Sequence, residues 1–198
     1  MKHHTIFEDS FAGRLAEGWT WLREEPAAHR LTADALMLRA LPGTLWGATN
    51  TARNFLMRPG FSIEAGLASQ VTVSNAPELR GEQGGLIWYE NDDTYVKLIK
   101  ESLEGQTWIV MAREEEGATA LVNKLPIAVE SATLRLSFDG EAMVGQFRTA
   151  DCEEWVTVGQ CAPVSQPNLQ LGVYTHGEPA DTENWATFRD FKVLKAGA

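Results

Sequence analysis

The chain has 198 residues, of which 44% are hydrophobic and 22% charged. That is an ordinary globular balance, and a chain of this length can bury a core without disulfide or metal staples. Seventeen Lys and Arg against 27 Asp and Glu leave a formal net charge of −10, which argues against partners that demand a cationic surface. Nucleic acid and anionic membranes are therefore not expected, and a neutral or cationic partner suits the charge better.

The chain opens on Met1-Lys2-His3-His4-Thr5-Ile6-Phe7-Glu8-Asp9, which has no apolar core of a secretory signal. No run approaches the roughly 18 apolar residues of a membrane helix. A soluble, cytoplasmic protein is expected on these grounds. Short alternating segments then follow one another. Strands are predicted near Thr5–Glu8, Thr20–Leu22, Leu36–Leu41, Arg53–Met57 and Phe61–Val73. Further strands are predicted near Gly84–Glu90, Tyr95–Glu101, Thr107–Arg113, Thr119–Lys124, Thr133–Phe138 and Met143–Thr149. Trp155–Gln160, Leu169–His176 and Trp185–Val193 complete the series.

Thr133–Phe138 shows the pattern best: Leu134, Leu136 and Phe138 point one way, and Thr133, Arg135 and Ser137 the other, the period of a half-buried strand. Asp139-Gly140 after it is a hairpin signal. Asn91-Asp92-Asp93, Glu104-Gly105, Glu116-Gly117 and Gly177-Glu178-Pro179 supply further turns. About a dozen strands with no capped helical period predict an all-β sandwich or barrel. No linker or repeat interrupts them, so residues 1–198 are read as one domain with an ordered core at about 5–194. Phe7-Glu8-Asp9-Ser10-Phe11 and Phe188-Arg189-Asp190-Phe191 look like neighbouring first and last strands that cover an edge. Cys152 in a predicted turn and Cys161 after the next strand lie too far apart for a disulfide, so both are expected as free thiols.

Two stretches carry a resemblance. Trp19-Thr20-Trp21-Leu22-Arg23-Glu24-Glu25-Pro26 and the block from Gly81-Glu82-Gln83-Gly84-Gly85 through Trp88-Tyr89-Glu90-Asn91-Asp92-Asp93 to Lys97-Leu98 resemble a bacterial and fungal β-sandwich family of uncertain function. That family includes the fungal regulation-of-enolase protein. It is similar in turn to the C-terminal β-sandwich of glycoside hydrolase family 43 β-xylosidases, within the concanavalin A-like lectin/glucanase superfamily. The resemblance runs from Phe7 to Val193. It implies a jelly-roll sandwich of two curved antiparallel sheets with ligands on a concave face. The β-xylosidase propeller that carries the catalytic carboxylates is not expected within these 198 residues.

The residues suggest three chemistries. Retaining glucanases on related jelly rolls place carboxylates at alternating positions on one strand, about 5.5 Å apart. Here Glu8-Asp9, Glu24-Glu25, Asp92-Asp93, Glu114-Glu115-Glu116 and Glu153-Glu154 are adjacent in sequence, and adjacent strand residues face opposite ways. No catalytic residue is assigned. The seven Trp suggest instead an aromatic platform for a sugar, since flat rings with a polar tip suit half-wet grooves. Trp88 and Glu90 share a face of one strand, Lys97 and Glu101 of the next, and Tyr174 and His176 of a third. With Trp46 and Gln83 they form the candidate ligand-binding set; the competing reading makes the Trp ordinary packing and the charges a surface pair. Third, related jelly rolls hold calcium between the first and last strands, for which Asp9 and Asp190 are the oxygen donors here; no cofactor is required. The expectation is a non-catalytic binding module, with a carbohydrate as ligand. A glycoside-hydrolase-related enzyme or accessory subunit, and a protein-docking domain or homodimer, stay open beside it.

Overall fold

The computed structural model describes residues 3–164, 168–179, 181 and 183–197. In chain order the described residues form β1 His3–Asp9, β2 Thr20–Leu22, β3 His29–Leu31, β4 Leu36–Arg39, β5 Leu45–Trp46, β6 Thr49–Asn50, β7 Phe55–Arg58 and β8 Ala68–Ser74. Then follow β9 Gln83–Asn91, β10 Thr94–Leu103, β11 Gln106–Glu115, β12 Ala118–Pro126, β13 Ser131–Phe138, β14 Met143–Thr149, β15 Cys152–Cys161, β16 Gln170–His176 and β17 Trp185–Ala196. A single 3-10 turn, Pro26–Ala28, is the exception to the β pattern. One sheet runs β15-β14-β13-β8-β17-β4-β3, with β1 also paired to β17; the other runs β12-β11-β10-β9-β16-β7-β2. All the strand pairs in both sheets are antiparallel.

The turns form where the chemistry allows a left-handed backbone. Glu104-Gly105 has φ of 56° and 74°, and Glu116-Gly117 has 52° and 80°, the paired positive angles that suit two-residue hairpins. At Asp139-Gly140 the Asp139 carboxylate accepts the Glu141 and Ala142 N–H groups, both at 2.8 Å. The two chain ends pair as expected, β1 against the last half of β17 from His3↔Ala196 to Asp9↔Phe191.

Several boundaries differ from expectation. The predicted Phe61–Val73 strand starts only at Ala68, because Gly60 and Gly66 both take positive φ and a Leu67–Glu64 turn bond intervenes. Cys152 begins β15 and is not in a turn; both thiols are free. The short strands β3, β5 and β6 were not anticipated, since two or three residues display no period.

The space between the sheets holds the main core, including Leu86, Trp88, Val96, Leu98, Ile109 and Met111 from one sheet and Leu36, Val71, Leu134, Phe188 and Val193 from the other. A second, smaller cluster lies on the opposite, outer face of the seven-stranded sheet. Ile87, Tyr89, Tyr95, Ile99 and Tyr174 supply it from the strands, Phe55 adds to it from β7, and Leu45 and Ala52 cover it. The sandwich thus buries part of its outer face under a segment of its own chain.

Candidate functional site

Register decides what faces outward on that sheet. Across the strands, His176 pairs with Gln83, Gln83 with Glu101, and Glu101 with Trp108, one polar row. The next rows read Tyr174, Gly85, Ile99 and Val110, then Gly172, Ile87, Lys97 and Ala112. Position 85 admits no side chain, since a Cβ there would come within 2.4 Å of the Leu98 carbonyl oxygen. On the same face the Tyr174 hydroxyl donates to Gln83 Oε1 at 2.7 Å. Phe55 stacks on Tyr174 with centroids 4.8 Å apart and planes 1° from parallel.

The β5–β6 hairpin lies over these rows. Leu45 is buried while its neighbour Trp46 is 41% exposed. Tyr95 Oη and Lys97 Nζ both donate to the Leu45 carbonyl, at 2.8 and 3.1 Å. Glu114 Oε2 accepts the Gly47 N–H at 3.0 Å and shares the single Tyr95 hydroxyl proton with the Leu45 carbonyl, 2.8 Å from each. Pro42 bridges Gly177 and the Gly43 N–H donates to its carbonyl. The segment is therefore fastened at both ends to the sheet it covers.

Between this segment and the sheet runs a cleft of about 450 Å³, lined among others by Trp46, Arg80, Gln83, Lys97, Glu101, Leu121, His176 and Glu178. Lys97, Gln83 and His176 are 4–5% exposed. Lys97 also donates to Gln83 Oε1 at 3.3 Å, and Gln83 Nε2 donates to Glu101 Oε1 at 3.1 Å. The Lys97 ammonium stands 5.1 Å from the Trp46 ring centroid, within cation–π range. Burial pulls the Lys97 ammonium down to about 8, against the opposing pull of Glu101 and Glu114. Burial raises the Glu101 carboxyl, with Lys97 acting the other way. Burial, helped by the Lys97 charge, lowers His176 to about 3, so the ring is neutral at physiological pH.

His176 is the anomaly of the site. Among the described residues neither ring nitrogen has a hydrogen-bond partner, although both are buried. Most buried polar side-chain atoms are paired, and an orphaned one costs about 1–3 kcal/mol. A neutral imidazole beside a cleft has one donor and one acceptor to offer whatever enters.

Of the eight candidate ligand residues, the structure brings Trp46, Gln83, Lys97, Glu101 and His176 to the cleft lining, with Tyr174 bonded to Gln83 below them. Two lie elsewhere. Trp88 faces inward: it is fully buried between the sheets, opposite Val96, and its Nε1 donates to Ser69 Oγ at 2.7 Å. Glu90 sits on the same inward-facing alternation at the strand end, where its carboxylate accepts the Asn168 N–H and side-chain amide at 2.7 and 2.9 Å. The reason is that Leu86-Ile87-Trp88-Tyr89 is buried on both faces, so alternation in the sequence does not say which pair looks outward. Tyr89 holds the outward place expected of Trp88. Glu114 was missed because it lies in an acidic run that reads as a solvated turn, yet it is wholly buried beneath the hairpin.

A wider cleft of about 860 Å³ lies where the first and last strands meet and includes Asp9 and Asp190. Asp9 is already engaged there: its oxygens accept the Phe11 and Ala16 N–H groups, each at 2.7 Å, and Trp19 Nε1 at 2.8 Å. Three of the roughly four lone-pair sites of the Asp9 carboxylate are thus taken by N–H donors. Asp190 is exposed in the β17 bulge at φ 54°. No three His, Cys, Asp or Glu side chains among the described residues group to hold a metal ion. The smaller cleft, where a buried ring lacks partners, is the better candidate site.

Two antiparallel sheets packed face to face, with a covered outer face on one of them, define a concanavalin A-like β-sandwich. More narrowly, the family described as the β-xylosidase C-terminal concanavalin A-like domain matches residues 8–194, and the chain belongs to it. Among solved structures it is similar to the GH43 protein BlXynB of Bacillus licheniformis, with a TM-score of 0.83 at 15% identity over 96% of this chain and 39% of that one. It is also similar to xylan β-1,4-xylosidase of Bacillus halodurans, with a TM-score of 0.78 at 19% identity over the same shares. The chain thus spans about two fifths of the length of those proteins. A functionally unknown protein of Saccharomyces cerevisiae is matched over 91% of this chain and 98% of its own, with a TM-score of 0.75 at 16% identity. At these identities the likeness establishes the fold. No curated protein matches the chain in sequence.

Proposed function

We propose that this protein is a non-catalytic binding module that holds a neutral carbohydrate in the cleft under Trp46. The observation that carries the reading is His176, buried with both ring nitrogens unpartnered beside Lys97, Gln83 and Glu101. A sugar hydroxyl both donates and accepts, so it can satisfy either nitrogen, whereas a carboxylate only accepts and an ammonium only donates. Trp46, half exposed at the rim, supplies the flat apolar face that the CH surface of a sugar needs. The lining charges balance, Lys97 and Arg80 against Glu101 and Glu178, which suits an uncharged ligand.

The same ladder speaks against a glycosidase. Glu101 has Gln83 and Trp108 as its cross-strand neighbours, so the strand ladder does not supply the alternating carboxylates of a retaining glucanase; the other acid of the lining, Glu178, lies beyond the end of β16. Calorimetric titration with xylo-, gluco- and manno-oligosaccharides tests the proposal. One series should bind saturably without being hydrolysed, and His176→Ala or Lys97→Met should weaken it about tenfold or more. Release of shorter sugars, or equal affinity in both variants, would contradict it.

A further inference from the structure

Resting on that carbohydrate reading, the layout of the outer face says which part of a glycan the cleft takes. A groove for the middle of a chain must be open at both ends. Here the β16 side of the face is filled: Phe55, Tyr174, Leu45 and Ala52 are all fully buried there. Behind His176 the wall is closed by the backbone, since the Gly43 N–H donates to the Gly177 carbonyl at 3.1 Å and the Gly177 N–H to the Leu41 carbonyl at 2.9 Å. In the other direction, the face over β11 and β12 has no such cover. β12 is the edge strand of the sheet, and Leu121, which lines the cleft there opposite Ala112, is 53% exposed.

The polar groups are distributed to match. The row His176–Gln83–Glu101 and the Lys97 ammonium lie at the filled side, while Val110, Ala112 and Leu121 lead outward to the edge. The unpartnered imidazole, which is 5% exposed, is therefore at the blind end, where only the leading unit of a ligand arrives. Val110, Ala112 and Leu121 along the approach offer following units an apolar surface; Trp108 and Lys124 beside them are engaged with each other, the ammonium 4.3 Å from the ring centroid.

We propose that the cleft is an end-reader: it takes the terminal unit of a neutral glycan, which enters over β11 and β12 and seats its last ring between Trp46 and the Gln83–His176 row. Its chain-length dependence is the distinguishing property. Binding energy comes from one ring and its adjacent hydroxyls, and further units trail over Leu121 into solvent.

Calorimetry with xylo-, gluco- and manno-oligosaccharides of two to six units tests this, each used unmodified, reduced at the reducing end to the alditol, and methylated at the non-reducing end. In the series that binds, Kd is expected to stay within about twofold from two units upward, and modification of one terminus but not the other is expected to weaken binding about tenfold or more. Trp46→Ala, at a half-exposed position where folding is not at risk, is expected to weaken all lengths equally. An affinity that climbs with every added unit and ignores both terminal modifications would overturn the end-reader while leaving the carbohydrate reading in place. No saturable binding at any length would overturn both.

Discussion

The two faces of the seven-stranded sheet are built from alternate residues of the same strands, yet they obey different rules. The inner face, Leu86, Trp88, Val96, Leu98, Ile109 and Met111, is apolar and is sealed by a whole second sheet. Its polar concessions are few and fully paired: the Trp88 Nε1 bond to Ser69 and, towards one end of β10, the Lys100 ammonium, which donates to the Asn75 and Glu130 carbonyls at 2.6 Å each. The outer face interleaves Ile87, Ile99 and Tyr95 with buried Gln83, Lys97, Glu114 and His176, and it is sealed by a short hairpin segment from the same chain. Burying such groups costs free energy unless they are paired. A fold that already has a sufficient core gains no stability from placing them there, and departures of this kind concentrate at functional sites. The inner face makes the domain; the outer face is where it can recognise something.

This contrast can be broken most forcefully at the two tryptophans. Trp88→Ala should cost about 3–5 kcal/mol of stability in urea unfolding, the usual range for emptying a large buried aromatic site. Trp46→Ala should stay within about 1 kcal/mol of wild type while losing ligand. Equal costs would erase the distinction between the faces. Next in size is Glu114→Ala, which leaves the Gly47 N–H without its acceptor and the Tyr95 hydroxyl with the Leu45 carbonyl alone. A loss of about 1–3 kcal/mol is expected, with faster amide exchange at Gly47 than at strand centres such as Leu98. Unchanged exchange at Gly47 would mean that Glu114 is not what fastens the hairpin.

A distinct effect is expected on acidification. Folded His176 titrates at about 3 against an ordinary 6.5, so between these values the unfolded chain binds a proton that the folded chain refuses. Stability contributed by neutral His176 is full above pH 6.5 and is lost as the pH falls towards 3. The thermal midpoint of the wild type should therefore fall more steeply than that of His176→Gln over this window. Parallel curves would show that the ring is not held neutral. The smallest effect is predicted for Glu90→Ala, whose bonds to Asn168 lie at an exposed edge: about 0.5 kcal/mol or less, and no change in binding.

The sandwich was legible in the sequence because most strands are half-buried and alternate. β13 and β14 display the period openly, and the Glu-Gly turns mark their own positions. The site was legible only where one face of a strand is polar. On β10, Lys97 and Glu101 stand out against Val96 and Leu98; on β16, Tyr174 and His176 stand out against Leu171 and Val173. On β9 the chain is apolar on both faces, so Trp88 and Tyr89 could not be told apart until the register Trp88↔Val96 placed one inside. Glu114 and the hairpin that hides it depend on a contact between residues 67 apart in sequence, which no local pattern records.

The central claim is that recognition occurs on the outer face beneath Trp46. Intrinsic tryptophan fluorescence during titration with xylo-, gluco- and manno-oligosaccharides tests it most directly, comparing wild type with Trp46→Phe and Trp88→Phe. The account predicts a saturable change that survives Trp88→Phe and disappears in Trp46→Phe, because Trp46 lines the cleft and Trp88 is buried between the sheets. A signal that persists without Trp46, or that depends on Trp88, would place recognition elsewhere and contradict the account.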